Sequence, residues 1–178
     1  MNIFFVDTSP AIAAQSLVDK HVVKMILESA QLLSTAHRVL DGQEYIDTNG
    51  NRKMKRWELP DSRESVLYKA THVNHPSNIW ARSSIENYNW LTDHFFALLL
   101  EYTYRYGKQH KCAGSIAYTL TSPPINLKEY DMTEIPSCMP DIFRISSKPV
   151  ENYRNYYKLG KAHLHKYTKR APPEWLVI

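Results

Sequence analysis

The stretch DKHVVKMILESAQ, residues 19–31, decides the fold. It is rich in Val, Met, Ile and Leu, and His21, Lys24, Glu28 and Gln31 form one thin polar line through it, spaced by three, four and three. On a helix such positions stack above one another on a single face. The helical pattern continues outward through Leu17 and Val18 on one side and Leu32 and Leu33 on the other. Ser9-Pro10 supplies a cap and a first-turn proline, and Asp41-Gly42 a stop. A long helix is therefore expected from 11 to about 40. The apolar run NIFFV ahead of it, residues 2–6, is too short to separate a strand from buried coil.

The polar line is either the wet side of an ordinary amphipathic helix or the floor of a cleft beneath a second layer of protein. In a cleft, Glu28 would have a tunable pKa, because burial raises it and the neighbouring Lys24 ammonium lowers it. In solvent, Lys24 and Glu28 are an i, i+4 pair worth a few tenths of a kcal/mol. His21 beside Asp19 faces the same choice between site and scaffold.

A second long helix is expected from 77 to 106. Ser77 after His75-Pro76 is a candidate cap, Trp80, Tyr88, Leu91, Phe95, Leu98 and Leu99 keep helical period, and Gly107 is the stop. It carries its own polar line, Arg82, Glu86, Asn89 and Asp93, which offers an arginine for phosphate and an amide for a base edge if it faces a cleft. Between the helices, residues 43 to about 65 are polar and charged, with a turn at Asn49-Gly50. The basic run NRKMKR, residues 51–56, reads as a surface loop or a nucleic-acid contact. Residues 119–150 hold Pro123, Pro124, Pro136, Pro140 and Pro149 without sustained period, so an irregular cover with short helices at most is expected. A third helix within 149–167, broken or kinked at Gly160, precedes a tail anchored by Trp175. The fold class is mainly α: one compact domain over residues 1–178, built on two long helices plus a C-terminal helix, with irregular covering segments.

The formal charge is +4 over 178 residues, with a pI near 9.0. From Lys148 onward seven Lys and Arg face two Glu, interleaved with Tyr153, Tyr156, Tyr157, Tyr167 and Trp175. Bases among aromatic rings suit a phosphate backbone and stackable bases; a solvated helix docking through its tyrosines is the other reading. No apolar run approaches the ~20 residues a membrane span needs, and the N-terminus has no signal-peptide pattern, so a cytoplasmic protein is expected, in the host cytoplasm if viral. Cys112 and Cys138 match no paired zinc or redox spacing and read as reduced structural thiols. No HExxH, Walker loop, GxSxG or GxGxxG is present, so neither a metal nor a cofactor is expected.

Three segments resemble the pyrimidine dimer DNA glycosylase family of phage endonuclease V. LVDKHVVKMILES, residues 17–29, is similar to that family's first-helix pattern of Asp-x-His followed by a glutamate. YNWLTDHFFALLLEYTYRYGKQH, residues 88–110, is similar to its long helix ending in an Arg-Gly turn, and YRNYYKLGKA, residues 153–162, to its aromatic and basic C-terminal segment. The resemblance covers about half the chain, in three islands in the right order. It implies a compact, mostly helical domain that binds duplex DNA, removes a damaged base and cuts the abasic strand without a metal. The family glutamate corresponds to Glu28, and the family nucleophile is the N-terminal amine.

The sequence departs from that pattern in two places. Asn2 follows Met1 where the family exposes a small second residue, so the amine would belong to Met1, and either the nucleophile moves, to Lys24 for example, or the lyase step is lost. Two arginines expected near the glutamate are replaced by Leu27 and Gln31. The expectation is thus an enzyme acting on the N-glycosidic bond of a damaged or modified base, with abasic lyase chemistry if an amine attacks. Glu28, Met1, Lys24 and His21 form the catalytic set. Gln31, Arg82, Glu86, Asn89, Lys158 and Lys161 would face the nucleic acid, with Trp80, Tyr156 and Tyr157 holding a displaced base. The alternative is a non-catalytic module that holds a nucleotide, a modified base or a nucleotide signal in the same cleft. No obligatory protein partner is evident.

Overall fold

Ser9 begins the first helix, its hydroxyl accepting from the Ile12 N–H with Pro10 at the first helical position. The computed structural model describes residues 1–49 and 52–177. The elements in order are α1 (Pro10–Ser16), α2 (Asp19–Asp41), β1 (Gln43–Asn49), β2 (Arg52–Glu58), α3 (Arg63–Val66), α4 (Pro76–Ala81), α5 (Ile85–Tyr106), α6 (Ser115–Leu120), α7 (Pro149–Asn155) and α8 (Glu174–Val177). A π turn at Tyr156–Gly160 and two short 3₁₀ turns complete the set. The fold is mainly α and forms one compact domain. Its core lies where α5 packs on α1 and α2, with Met25, Ile26, Leu33, Leu91, Phe95 and Leu98 fully buried.

The expected helix from 11 to 40 is two helices. Leu17 and Val18 are extended, and the break is held by residues far along the chain. The Val18 N–H donates to the Tyr157 hydroxyl at 2.8 Å and the Asp19 N–H to the Lys166 carbonyl at 2.9 Å. On the other side of the break, Arg105 and the Tyr167 hydroxyl donate to the carbonyls of Gln15 and Ser16. These tertiary partners satisfy the helix ends that a continuous helix would have paired internally.

The second long helix is likewise divided. His75 caps α4, the chain turns through Arg82 to Ser84, and Ser84 caps α5 by accepting from the Asn87 N–H at 3.2 Å. Asn87 closes the gap by donating to the Trp80 carbonyl at 2.8 Å. Gly107 ends α5 in the left-handed conformation, φ 66°, as its position predicts.

Residues 43–49 and 52–58 are not a loop but two antiparallel strands, with Ile46 opposite Lys55 and Thr48 opposite Lys53. The expected turn at Asn49-Gly50 lies outside the described residues. The strands are mostly charged and polar, and their few apolar residues, Tyr45, Ile46, Met54 and Trp57, do not alternate with them, so the period-2 signal of a half-buried strand is missing. Tyr45 and Ile46 on its two faces are both exposed, and Lys55–Glu44 at 2.8 Å and Arg56–Asp47 at 3.6 Å add cross-strand pairing. The hairpin is tied down at its base by the fully buried Arg38. That guanidinium donates to the carbonyls of Trp57, Tyr68, Leu67 and Glu64 and to the Glu64 carboxylate, which uses all five of its N–H groups.

Residues 121–148 are irregular apart from the 3₁₀ turn at Asp141–Phe143, as their proline content predicts. The C-terminal helix ends its α part at Asn155 and its π turn at Gly160. A Cβ at Gly160 would meet the Tyr156 ring at 2.6 Å, so glycine permits that close approach. Trp175 packs on the Tyr157 ring and under Arg154. Among the described residues no helix is long and apolar enough to cross a membrane.

Candidate functional site

Glu28 lies midway along α2, and the N-terminal strand of chain crosses beside it. The Asn2 N–H donates to Glu28 Oε2 at 3.1 Å, and Lys24 Nζ stands 3.2 Å from Oε1. The Glu28 side chain is only 14% exposed, whereas that of Lys24 is 65% exposed. Asn2 is used at every polar atom of its side chain. Its carbonyl accepts from the Ile3 and Phe4 N–H groups at 2.7 and 3.0 Å, and its amide donates to the Cys138 carbonyl at 2.7 Å. The Asn2 turn therefore fixes residue 1 beside Glu28.

His75 faces the same corner. Its Nδ1 accepts from the Ser77 N–H at 3.2 Å, which leaves the proton of the neutral ring on Nε2. Burial, the Met1 ammonium and His72 lower its pKa, against the opposing pull of Glu28. Among the described residues, two of the three non-glycine residues with positive φ are close in sequence to this corner: Phe4 at 56°, two residues from Asn2, and His72 at 48°, three from His75. Such backbone costs roughly 1–3 kcal/mol and persists only where surrounding structure enforces it. At Phe4 that structure is a stack on His21, ring centroids 4.3 Å apart, with Tyr153, Tyr156 and Tyr157 around it.

Beside the corner opens a cavity of about 520 Å³ lined by His75, Pro76, Pro136, Cys138, Met139 and Arg144. Its far wall is rigid, because the Tyr153 hydroxyl donates to the Pro136 carbonyl at 2.8 Å and accepts from the Cys138 N–H at 3.2 Å. Ser77 Oγ and Cys138 Sγ are 3.3 Å apart across the junction with α4.

The other expected residues are placed as follows. His21 turns inward from the polar line; its Nδ1 is 2.8 Å from the Tyr157 hydroxyl, and burial, then the charges of Lys161, Lys24 and His163, lower its pKa to about 4. Gln31 is half-buried on α2. Arg82 is half-buried at the end of α4, where it donates to Asn78 Oδ1 at 3.3 Å, and burial lowers its pKa. Glu86, Asn89 and Asp93 lie on the exposed face of α5. Glu86 lines a separate depression with Glu129 and Asp131, an acidic setting that repels phosphate.

Trp80 is 4% exposed, donates to the Thr133 carbonyl at 3.1 Å and lines a shallow depression adjoining the cavity. Tyr157 is fully buried. Tyr156 is half-buried with Lys161 Nζ 4.8 Å from its ring centre, and Lys158 is half-buried.

Part of the C-terminal positive charge is paired with other groups of the chain, Arg154 and Arg170 half-buried and Lys148 at the surface. Arg154 binds the Val6 carbonyl and Asp7, Arg170 binds Glu101, and Lys148 pairs with Glu151. A buried network joins the tail to the helix break: Arg105 donates to Glu101 and Asp19, and Thr168 donates twice to Asp19. Burial alone would raise the Asp19 pKa, but the bonds from Thr168 and Arg105 outweigh it and hold the carboxyl below its ordinary value.

Sequence reasoning did not single out His75, Cys138 or Arg144 as site residues. They come from two segments far apart in sequence, and only the folded chain brings them to the N-terminus. Among the described residues no three His, Cys, Asp or Glu side chains gather as a metal-binding group. Comparison with protein-family models, with curated proteins and with solved structures finds no match in any of the three.

Proposed function

We propose that this protein cleaves the N-glycosidic bond of a damaged or modified base in duplex DNA, with Glu28 as acid/base and an amine as nucleophile. The observation that carries the reading is the shielded Glu28 carboxylate, 3.1 Å from the N–H of Asn2 and so next to the chain's N-terminal amine. An unprotonated amine attacks sugar C1′; the new C1′–N bond replaces the bond to the base, and the base leaves with the electron pair and takes up a proton. Glu28 relays protons in this exchange, and its position also allows it to take the C2′ proton in a later elimination. The contact of the Asn2 N–H with Glu28 sets the adjoining Met1 amine beside the carboxylate, which favours it over Lys24, whose side chain is 65% exposed. The resemblance of residues 17–29 to the glycosylase first helix points to the same carboxylate.

The test is base release from duplexes carrying deaminated, alkylated, oxidised or ultraviolet-damaged bases, measured by mass spectrometry of the free base. Wild type should release at least one class, and Glu28→Gln should slow that release by about 10²–10⁴-fold while leaving the circular dichroism spectrum unchanged. Release by Glu28→Gln at the wild-type rate would refute the assignment.

A further inference from the structure

Chemistry at a glycosidic bond inside a duplex needs the base out of the stack and held. Tyr157 and Trp80 are buried, so neither presents a free ring face for that purpose. The cavity beside Asn2 does have room: about 520 Å³ falls within the ~300–1,000 Å³ of small-molecule sites. Its walls of Pro76, Pro136 and Met139 are flat and apolar, suited to the faces of a ring rather than to a phosphate.

Besides the Ser137 hydroxyl and the Cys138 thiol, the polar side chains of the cavity are the donors Arg144 and His75. Arg144 gives one N–H to the Met139 carbonyl at 3.2 Å and pairs with Asp141 at 3.0 Å, which leaves three of its five N–H groups. His75 adds an Nε2–H. A guanidinium fork matches two adjacent acceptors, and the O6 and N7 of a 6-oxopurine are such a pair. Adenine replaces O6 with a donor, and thymine flanks O4 with an N–H.

Resting on the glycosidic reading, we propose that this cavity receives an extruded 6-oxopurine with a free N7, and that Arg144 is its specificity-determining residue. Hypoxanthine is selected over guanine, which has the same O6 and N7, by the weaker pairing that eases its extrusion. Binding of free hypoxanthine, adenine and thymine is measured by calorimetry on wild type, Arg144→Met and Arg144→Lys, alongside base release from duplexes carrying hypoxanthine or another damaged base. Hypoxanthine should bind at least tenfold more tightly than the other two, and both variants should remove that preference, because lysine keeps the charge and loses the fork. Hypoxanthine should also be the preferred base in duplex DNA.

Equal binding of the three bases, or an unchanged preference in both variants, would overturn the assignment. So would a uniform loss of affinity for all duplexes with a salt slope lower by about 1, the signature of a phosphate contact. Arg144-dependent hypoxanthine binding without base release from any duplex would uphold the pocket and refute the glycosidic reading. Base release with the same preference in Arg144→Met would do the reverse.

Discussion

Replacing His94 with phenylalanine should make the protein less sensitive to acid and more stable at neutral pH. His94 is buried in α5, stacks on Trp90 with centroids 5.1 Å apart, and has no hydrogen-bond partner at either ring nitrogen. Burial lowers its pKa to about 3, and burial is also the largest cause at His21 and His37, each lowered to about 4. All three are neutral in the native state and titrate near 6.5 when unfolded. Their contribution to stability is complete above pH 6.5 and falls away as the pH drops from 6.5 toward 4, because the unfolded chain then binds protons that the native state refuses.

Each lost proton-binding step costs about 2 kcal/mol between pH 7 and pH 5, so the three together remove about 6 kcal/mol, a large part of the ~5–15 kcal/mol typical of a domain. The carboxylates with depressed pKa, Asp19, Asp41 and Glu64, act in a separate window below pH 4. Urea unfolding at pH 7, 6 and 5 measures the effect. His94→Phe should gain about 1–2 kcal/mol at pH 7 by removing two unpaired buried nitrogens. It should also lose about 2 kcal/mol less than wild type on going to pH 5. A variant destabilised at pH 7 that keeps the full wild-type pH dependence would refute the reasoning.

Two further predictions concern the hairpin base. Arg38→Ala leaves four carbonyls without this donor and takes one partner from the Glu64 carboxylate, which keeps Lys69 and the Leu59 N–H, and should cost about 3–5 kcal/mol in urea unfolding. Gly42→Ala would place a Cβ 2.5 Å from the Arg38 carbonyl oxygen and 3.0 Å from that of Glu58. It should cost about 1–3 kcal/mol, with a melting-temperature shift in the same direction as Arg38→Ala.

The helix signals near Ser9-Pro10 and Gly107 are local chemistry and could be read from the chain. The break at Leu17-Val18 could not, because the apolar period runs straight through it and its partners, Tyr157 and Lys166, lie far away in sequence. The break at 82–84 is held locally by Ser84 and Asn87 and was masked by the apolar period that continues across it. The hairpin was hidden because its strands face solvent on both sides, which leaves no apolar alternation. On α2 the polar spacing was legible, but the fate of each member was not. His21 turns into the Phe4 and Tyr157 rings, while Glu28, two turns on, meets the N-terminus. Asn2 was visible only as an oddity of sequence, and its hydrogen bonds to Ile3, Phe4 and Cys138 show why an amide suits that position.

The most direct test of the central claim is borohydride trapping on a duplex with one abasic site, with the attached residue identified by mass spectrometry. An imine reduced in place on the Met1 amine, formed by wild type and much more slowly by Glu28→Gln, is the predicted result. Folded wild-type protein that binds the duplex and yields no adduct at Met1 or Lys24 would contradict it.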